Sequence, residues 1–200
     1  MKTNKKSVQK RTSLFRRLLS PFIFLLVGCA FLALALFFQA RSQTKYSFSS
    51  YEFEKVVASE SATPTFISIH SIDLSLPIKP TNIKDGEWEI REDAASHLVA
   101  SANPGEQKNI IIYSHNTSKF FGRLPDVKKN DEIKVVTMDG QQHTYTVTAT
   151  HIVAPSEIWV IENNDREELT LYTCFGFADL KRFVVKAIPT NTKEDIKLSL

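Results

Sequence analysis

The sequence predicts a mostly β domain, a closed barrel or sandwich of about eight short strands with short helices, behind one N-terminal transmembrane helix. Three observations predict it. From position 64 onward, short apolar runs rich in Val, Ile, Thr and aromatics recur between turn signals. Helical periodicity is scarce there. Ahead of them, Leu18 to Ala40 is a run of 23 residues without a charge. At about 1.5 Å per residue it makes a helix of roughly 35 Å, long enough to cross a hydrocarbon core of about 30 Å.

Charge orients that span. Residues 1–17 carry Lys2, Lys5, Lys6, Lys10, Arg11, Arg16 and Arg17 and no acid, and only Arg41 and Lys45 follow the apolar run closely. The positive-inside bias makes 1–17 a cytoplasmic basic tail, 18–40 the membrane anchor, and everything from 46 onward extracellular. The whole chain has a formal charge of +3, yet residues 46–200 hold 16 basic and 22 acidic residues, a net −6. A domain of that sign repels phosphate backbones, so no nucleic-acid partner is expected. A cleaved secretory signal ending near Ala33-Leu34-Ala35 has too short an apolar core to match this run. Leu26-Val27-Gly28-Cys29 looks like a lipoprotein box, but eleven more uncharged residues follow Cys29, and a cysteine buried in lipid as a small apolar residue is the simpler reading.

Residues 41–63 are Ser-rich and read as a stalk; 64–189 form the domain and 190–200 a tail. Within the domain the expected strands are Phe66 to Ile69, Ile72 to Ile78, His97 to Ser101, Asn109 to Ser114, Glu132 to Met138, Thr144 to Val153, Ile158 to Ile161, Leu169 to Cys174 and Arg182 to Ile188. Strict alternation from Thr144 to Thr150 puts threonines on one face and Tyr145, Val147 and Ala149 on the other, the mark of a half-buried strand. Asp139-Gly140 before it signals a tight hairpin turn. Ile110-Ile111-Ile112-Tyr113 is apolar on both faces, as a central strand requires. Glu87 to Ala95, around Trp88, is the best short helix.

Two cysteines cannot build a disulfide scaffold. Cys174 is the only one outside the apolar run, and an unpaired exported thiol is either buried structure or chemistry. Its setting, the end of the strand Leu169 to Thr173 before the turn-like Phe175 to Asp179, favours a side chain reaching a cleft. A thiol reacts as thiolate and needs a basic or cationic neighbour. Of five histidines, His70 and His151 lie within strands, His97 beside the short helix and His143 beside a hairpin turn, all readable as surface or packing. His115 ends the most apolar strand and opens a loop, where sites form. Arg182 begins the last strand, a short connection away from Cys174, where a guanidinium can serve a developing oxyanion.

These stretches resemble the sortase family of membrane-anchored cysteine transpeptidases. The likeness is carried by Phe66-Ile-Ser-Ile-His-Ser-Ile-Asp-Leu-Ser-Leu-Pro-Ile78, Ser101-Ala-Asn-Pro-Gly-Glu106, Asn109-Ile-Ile-Ile-Tyr-Ser-His-Asn116, Phe120 to Leu124, Asn130-Asp-Glu-Ile133, Leu169-Thr-Leu-Tyr-Thr-Cys174 and Lys181-Arg-Phe-Val-Val-Lys-Ala187. It implies a sortase-like closed β-barrel and the triad His115, Cys174 and Arg182, with Thr173 next to the nucleophile as a substrate contact. It also implies attack on an LPXTG-like sorting signal of a surface protein, a thioacyl enzyme, and transfer to an amine from peptidoglycan or a pilin. Two positions depart from the family pattern: the Cys174-to-Arg182 connection is shorter than in many members, and Asn116 follows the histidine where many have Arg. Glu162 to Glu168 is similar to the acidic loop with which some sortases bind calcium, but reads more simply as a solvated charged loop, so no cofactor or metal is expected. The alternatives are an exported cysteine peptidase or L,D-transpeptidase, and a wall-anchored binding module with an inert Cys174.

Overall fold

The structure, a computed structural model, describes residues 24–37, 62–84 and 86–190. The chain divides into two units, Met1–Thr44 and Lys45–Leu200. In the first, residues 24–37 are helical, with Phe24, Leu32 and Phe37 exposed. The rest of the expected span 18–40, the basic tail, most of the stalk and the C-terminal tail beyond 190 lie outside the described residues. Among the described residues no helix is long and apolar enough to cross a membrane.

Among its described residues the second unit contains ten strands: β1 (Pro64–Ile69), β2 (Leu74–Thr81), β3 (Ile83–Lys84), β4 (Glu87–Trp88), β5 (Ala95–Leu98), β6 (Asn109–Tyr113), β7 (Glu132–Thr137), β8 (Gln142–Val153), β9 (Glu168–Phe175) and β10 (Lys181–Pro189). Eight of them close into a barrel in the order β1-β2-β5-β6-β9-β10-β8-β7, and β3 and β4 pair separately. Closure removes sheet edges, which settles the choice between barrel and sandwich. Most neighbours are antiparallel; β2–β5 and β6–β9 are parallel. The expected hairpin forms between β7 and β8, with Gly140 at φ +81° in its turn.

Side chains from alternate positions fill the barrel, among them Ile67, Leu76, Ile110, Ile112, Leu171 and Val185. The β6 strand is buried throughout, because its other face is covered too: Ile111 and Tyr113 join Trp88, Leu98, Val153, Val160, Tyr172 and Val184 in a second apolar cluster outside the barrel. On β8, Tyr145 and Val147 point inward as the alternation predicts, whereas Ala149 is only half-buried. Lys186 and Ala187 of β10 pair with Ala149 and Val147 of β8, leaving Thr148 as the extra residue of a bulge on β8, which breaks the inward alternation before Ala149.

Two expected elements differ. Residues 87–95 are not a helix: Gly86, at φ +79°, turns β3 back onto β4 with Ile83 opposite Trp88. That pairing lodges the Trp88 ring against Tyr113 and Tyr172, at 4.8 and 5.8 Å between centroids. The run Ile158 to Ile161 is no strand either. Ile158–Val160 is one turn of 3₁₀ helix, after a turn closed by the Glu157 carboxylate accepting from the Ala154 N–H at 2.5 Å. Four apolar residues alone do not distinguish strand from helical turn.

Candidate active site

Three strands bring the predicted residues to one rim. β6 and β9 run parallel with Tyr113 opposite Tyr172, and the pairing continues past β6: the Ser114 N–H donates to the Tyr172 carbonyl at 3.3 Å. One residue further along lies His115, past the end of β6. Across the other edge of β9, Cys174 is the register partner of Arg182 on β10. Cys174 and Arg182 thus sit opposite each other on adjacent strands spaced about 4.8 Å apart, and His115 follows the end of the strand on the other side of β9. Alternation puts Cys174 and Arg182 on the outer face, continuing the ladder Tyr172–Val184 and Thr170–Lys186.

The site is built mostly from buried groups. Cys174 is 2 % exposed and Arg182 1 % exposed, whereas the His115 side chain is 27 % exposed. Arg182 Nη1 donates to the carbonyls of Asp179 at 2.6 Å and Lys181 at 2.8 Å. These bonds hold a short connection in which Gly176, Ala178 and Asp179 all have positive φ. For Ala178 and Asp179 this is a left-handed conformation that costs energy and needs outside support. The His115 ring lies 6.1 Å from the Phe120 ring, and its Nε2 meets Glu92 Oε1 at 3.2 Å.

Thr173, expected as a substrate contact, is fully buried, and its hydroxyl donates to the Ser114 carbonyl at 2.9 Å. On β9 the residues flanking Cys174 in sequence face the barrel side, so Thr173 ties the ends of β9 and β6 together. Sequence reasoning missed two neighbours. Tyr172 sits two residues before Cys174 on the same face, and burial pushes its hydroxyl pKa up, against the pull of the adjacent Arg182 guanidinium. The i, i+2 spacing from Cys174 was the available signal. Glu92 had none, because its approach depends on how the 89–94 segment folds.

The other histidines do not join the site. His97 is on β5, 2 % exposed, with Nε2–H donating to the Ala102 carbonyl at 3.0 Å; burial pulls its pKa down to about 4. His151 packs edge-on against Trp159. The acidic stretch before β9 is drawn into protein contacts: Glu167 accepts from the Tyr145 hydroxyl and the Gly105 N–H, and Glu168 pairs with Lys186 at 2.6 Å. Among the described residues no three His, Cys, Asp or Glu side chains group to hold a metal ion.

A mixed eight-stranded barrel presenting a thiol, an imidazole and a guanidinium at one rim has the layout of a sortase domain. The sortase-domain family model matches residues 67–190, more than half of the chain, and the chain belongs to the sortase family. It is 29% identical over 135 residues to sortase A of Bacillus anthracis, covering 64% of this chain and 60% of that protein. It is 26% identical over 124 residues to sortase D of Bacillus subtilis, covering 60% of each. The chain therefore matches about three-fifths of the length of these curated relatives. Among solved structures, sortase A from Corynebacterium diphtheriae superposes with a TM-score of 0.56 at 28% identity, over 65% of this chain and 61% of that one. The Clostridium perfringens sortase D5 transpeptidase gives a TM-score of 0.55 at 25% identity, over 63% and 78%.

Proposed function

We propose that this protein is a membrane-anchored cysteine transpeptidase that cleaves an LPXTG-like sorting signal and transfers the surface protein to an amine. The observation that carries this reading is Cys174 set opposite Arg182 across β9 and β10, with His115 just past the end of β6, the strand on the other side of β9. Cys174 thiolate attacks the threonine carbonyl of the signal, with Arg182 beside it to receive the developing oxyanion. His115, as imidazolium, protonates the departing glycine amine, leaving a thioester on Cys174. The neutral imidazole then takes a proton from the incoming amine as that amine attacks the thioester. Thr173 serves by holding the two strand ends in register.

Family membership supports the reaction class, and the sortase D5 relative is itself described as a transpeptidase. The uncharged stretch 18–40 and the seven basic residues before it support a single-pass anchor with the barrel outside. The acceptor is an amine of peptidoglycan or of a pilin. The test incubates the full-length chain in micelles with an LPXTG peptide and a small amine, and weighs the products. Ligated peptide is the expected result. Hydrolysis alone points to a peptidase, and no cleavage by wild-type protein across a panel of related motifs overturns the proposal.

A further inference from the structure

The site contains one acidic group that the triad does not account for, and its placement is not accidental in the fold. Glu92 lies in the segment between β4 and β5, and its carboxylate reaches His115 Nε2 at 3.2 Å. Its own side chain is 84 % exposed, which alone would make the contact a casual surface pair. The residues around it argue otherwise. Asp93 is held by Lys79 of β2 at 2.6 Å and by Arg91 at 3.4 Å. The Arg91 N–H donates to Ser96 Oγ, a buried group on β5, at 2.9 Å. Both sequence neighbours of Glu92 are therefore tied to the barrel, and the residue between them is aimed at the imidazole.

We infer that Glu92 is a positioning residue for His115, holding the ring by Nε2 so that Nδ1 is the nitrogen that exchanges protons with the leaving and incoming amines. The inference rests on the transpeptidase reading for its catalytic consequence, but not for the contact itself. A carboxylate at one ring nitrogen fixes the ring's orientation and selects which nitrogen is left for chemistry. That serves both half-reactions, in which the same nitrogen meets first the leaving and then the incoming amine. The His115 ring also lies beside Phe120, with Lys119 Nζ 5.2 Å from the Phe120 ring, and Glu92 is the anion in direct contact with the imidazole.

The substitution Glu92→Gln keeps the side chain's shape and a neutral acceptor but removes the charge; Glu92→Asp keeps the charge. In the full-length chain, E92Q should slow thioester formation by about fivefold, the upper range for an exposed ion pair, with KM for the sorting peptide unchanged. Glu92→Asp should restore most of the rate. Salt at 1 M should slow wild type toward E92Q and leave E92Q unaltered. The contact is also read without turnover, in the ring nitrogen signals of His115 by NMR, which should report a proton held on Nε2 in wild type and a mixture of tautomers in Glu92→Ala. Unchanged signals or an unchanged rate overturn the inference, and so does an effect confined to KM, which would make Glu92 a substrate contact. If the signals change but wild type forms no thioester, the pairing stands and the transpeptidase reading is what fails.

Discussion

The two faces of β9 and β10 are made by the same backbone and behave as two different materials. Inward, Leu169, Leu171, Phe183, Val185 and Ala187 join an apolar core without a charged member. Outward, the same strands present Glu168, Thr170, Tyr172, Cys174, Arg182, Val184 and Lys186, buried by segments from outside the barrel. Burial on the inward face is favourable in itself. On the outward face every polar group must be satisfied or pay its desolvation penalty, so that face is held by specific partners, and its chemistry is available at the rim. Changes on the inner face should therefore cost stability, and changes at the outer rim should cost activity.

The sharpest break between the two is expected at Cys174. Cys174→Ala should abolish peptide ligation while leaving the urea midpoint close to wild type, because a small side chain at a strand end contributes little burial; loss of the fold would make the thiol structural. Next comes the far end of the same outer ladder. Lys186→Met removes the closest counter-charge of the buried Glu168 carboxylate and should cost about 3–5 kcal/mol in urea unfolding, most of it recovered when Glu168→Gln is added. On the inner face, Leu171→Ala should cost about 2–5 kcal/mol through lost burial and a residual cavity, with the activity of the remaining folded protein unchanged.

The smallest effect is pH-dependent. Folded His97 has a pKa of about 4, against an unfolded value near 6.5. Between those values the unfolded chain binds a proton that the folded one refuses, so stability falls as pH drops from about 6.5 to about 4, by up to about 3 kcal/mol. Above the unfolded value the contribution is fully present. His97→Gln should flatten that part of the stability–pH curve.

The fold was largely legible because strand signals in this chain are local. The Ile110-Ile111-Ile112-Tyr113 run and the Asp139-Gly140 turn each carry their meaning within a few residues. The juxtaposition of Cys174 and Arg182 was legible because they flank one short connection between two strands, a feature visible in sequence. What was hidden depends on long-range packing. Trp88 converted an expected helix into a tiny hairpin because Tyr113 and Tyr172 supply its pocket, and those partners lie 25 and 84 residues away. The inward side chain of Thr173 follows from strand alternation, which takes precedence over sequence adjacency to the nucleophile. Glu92 was invisible because only the pinning of Arg91 and Asp93 brings it to His115.

The most direct measurement of the central claim is the mass of the full-length chain after rapid quenching with an LPXTG peptide. The expected result is an added mass equal to the peptide up to its threonine, mapping to Cys174, cleared by hydroxylamine and missing from Cys174→Ala. An adduct on another residue, or none while the peptide is cleaved at the same rate, would contradict it.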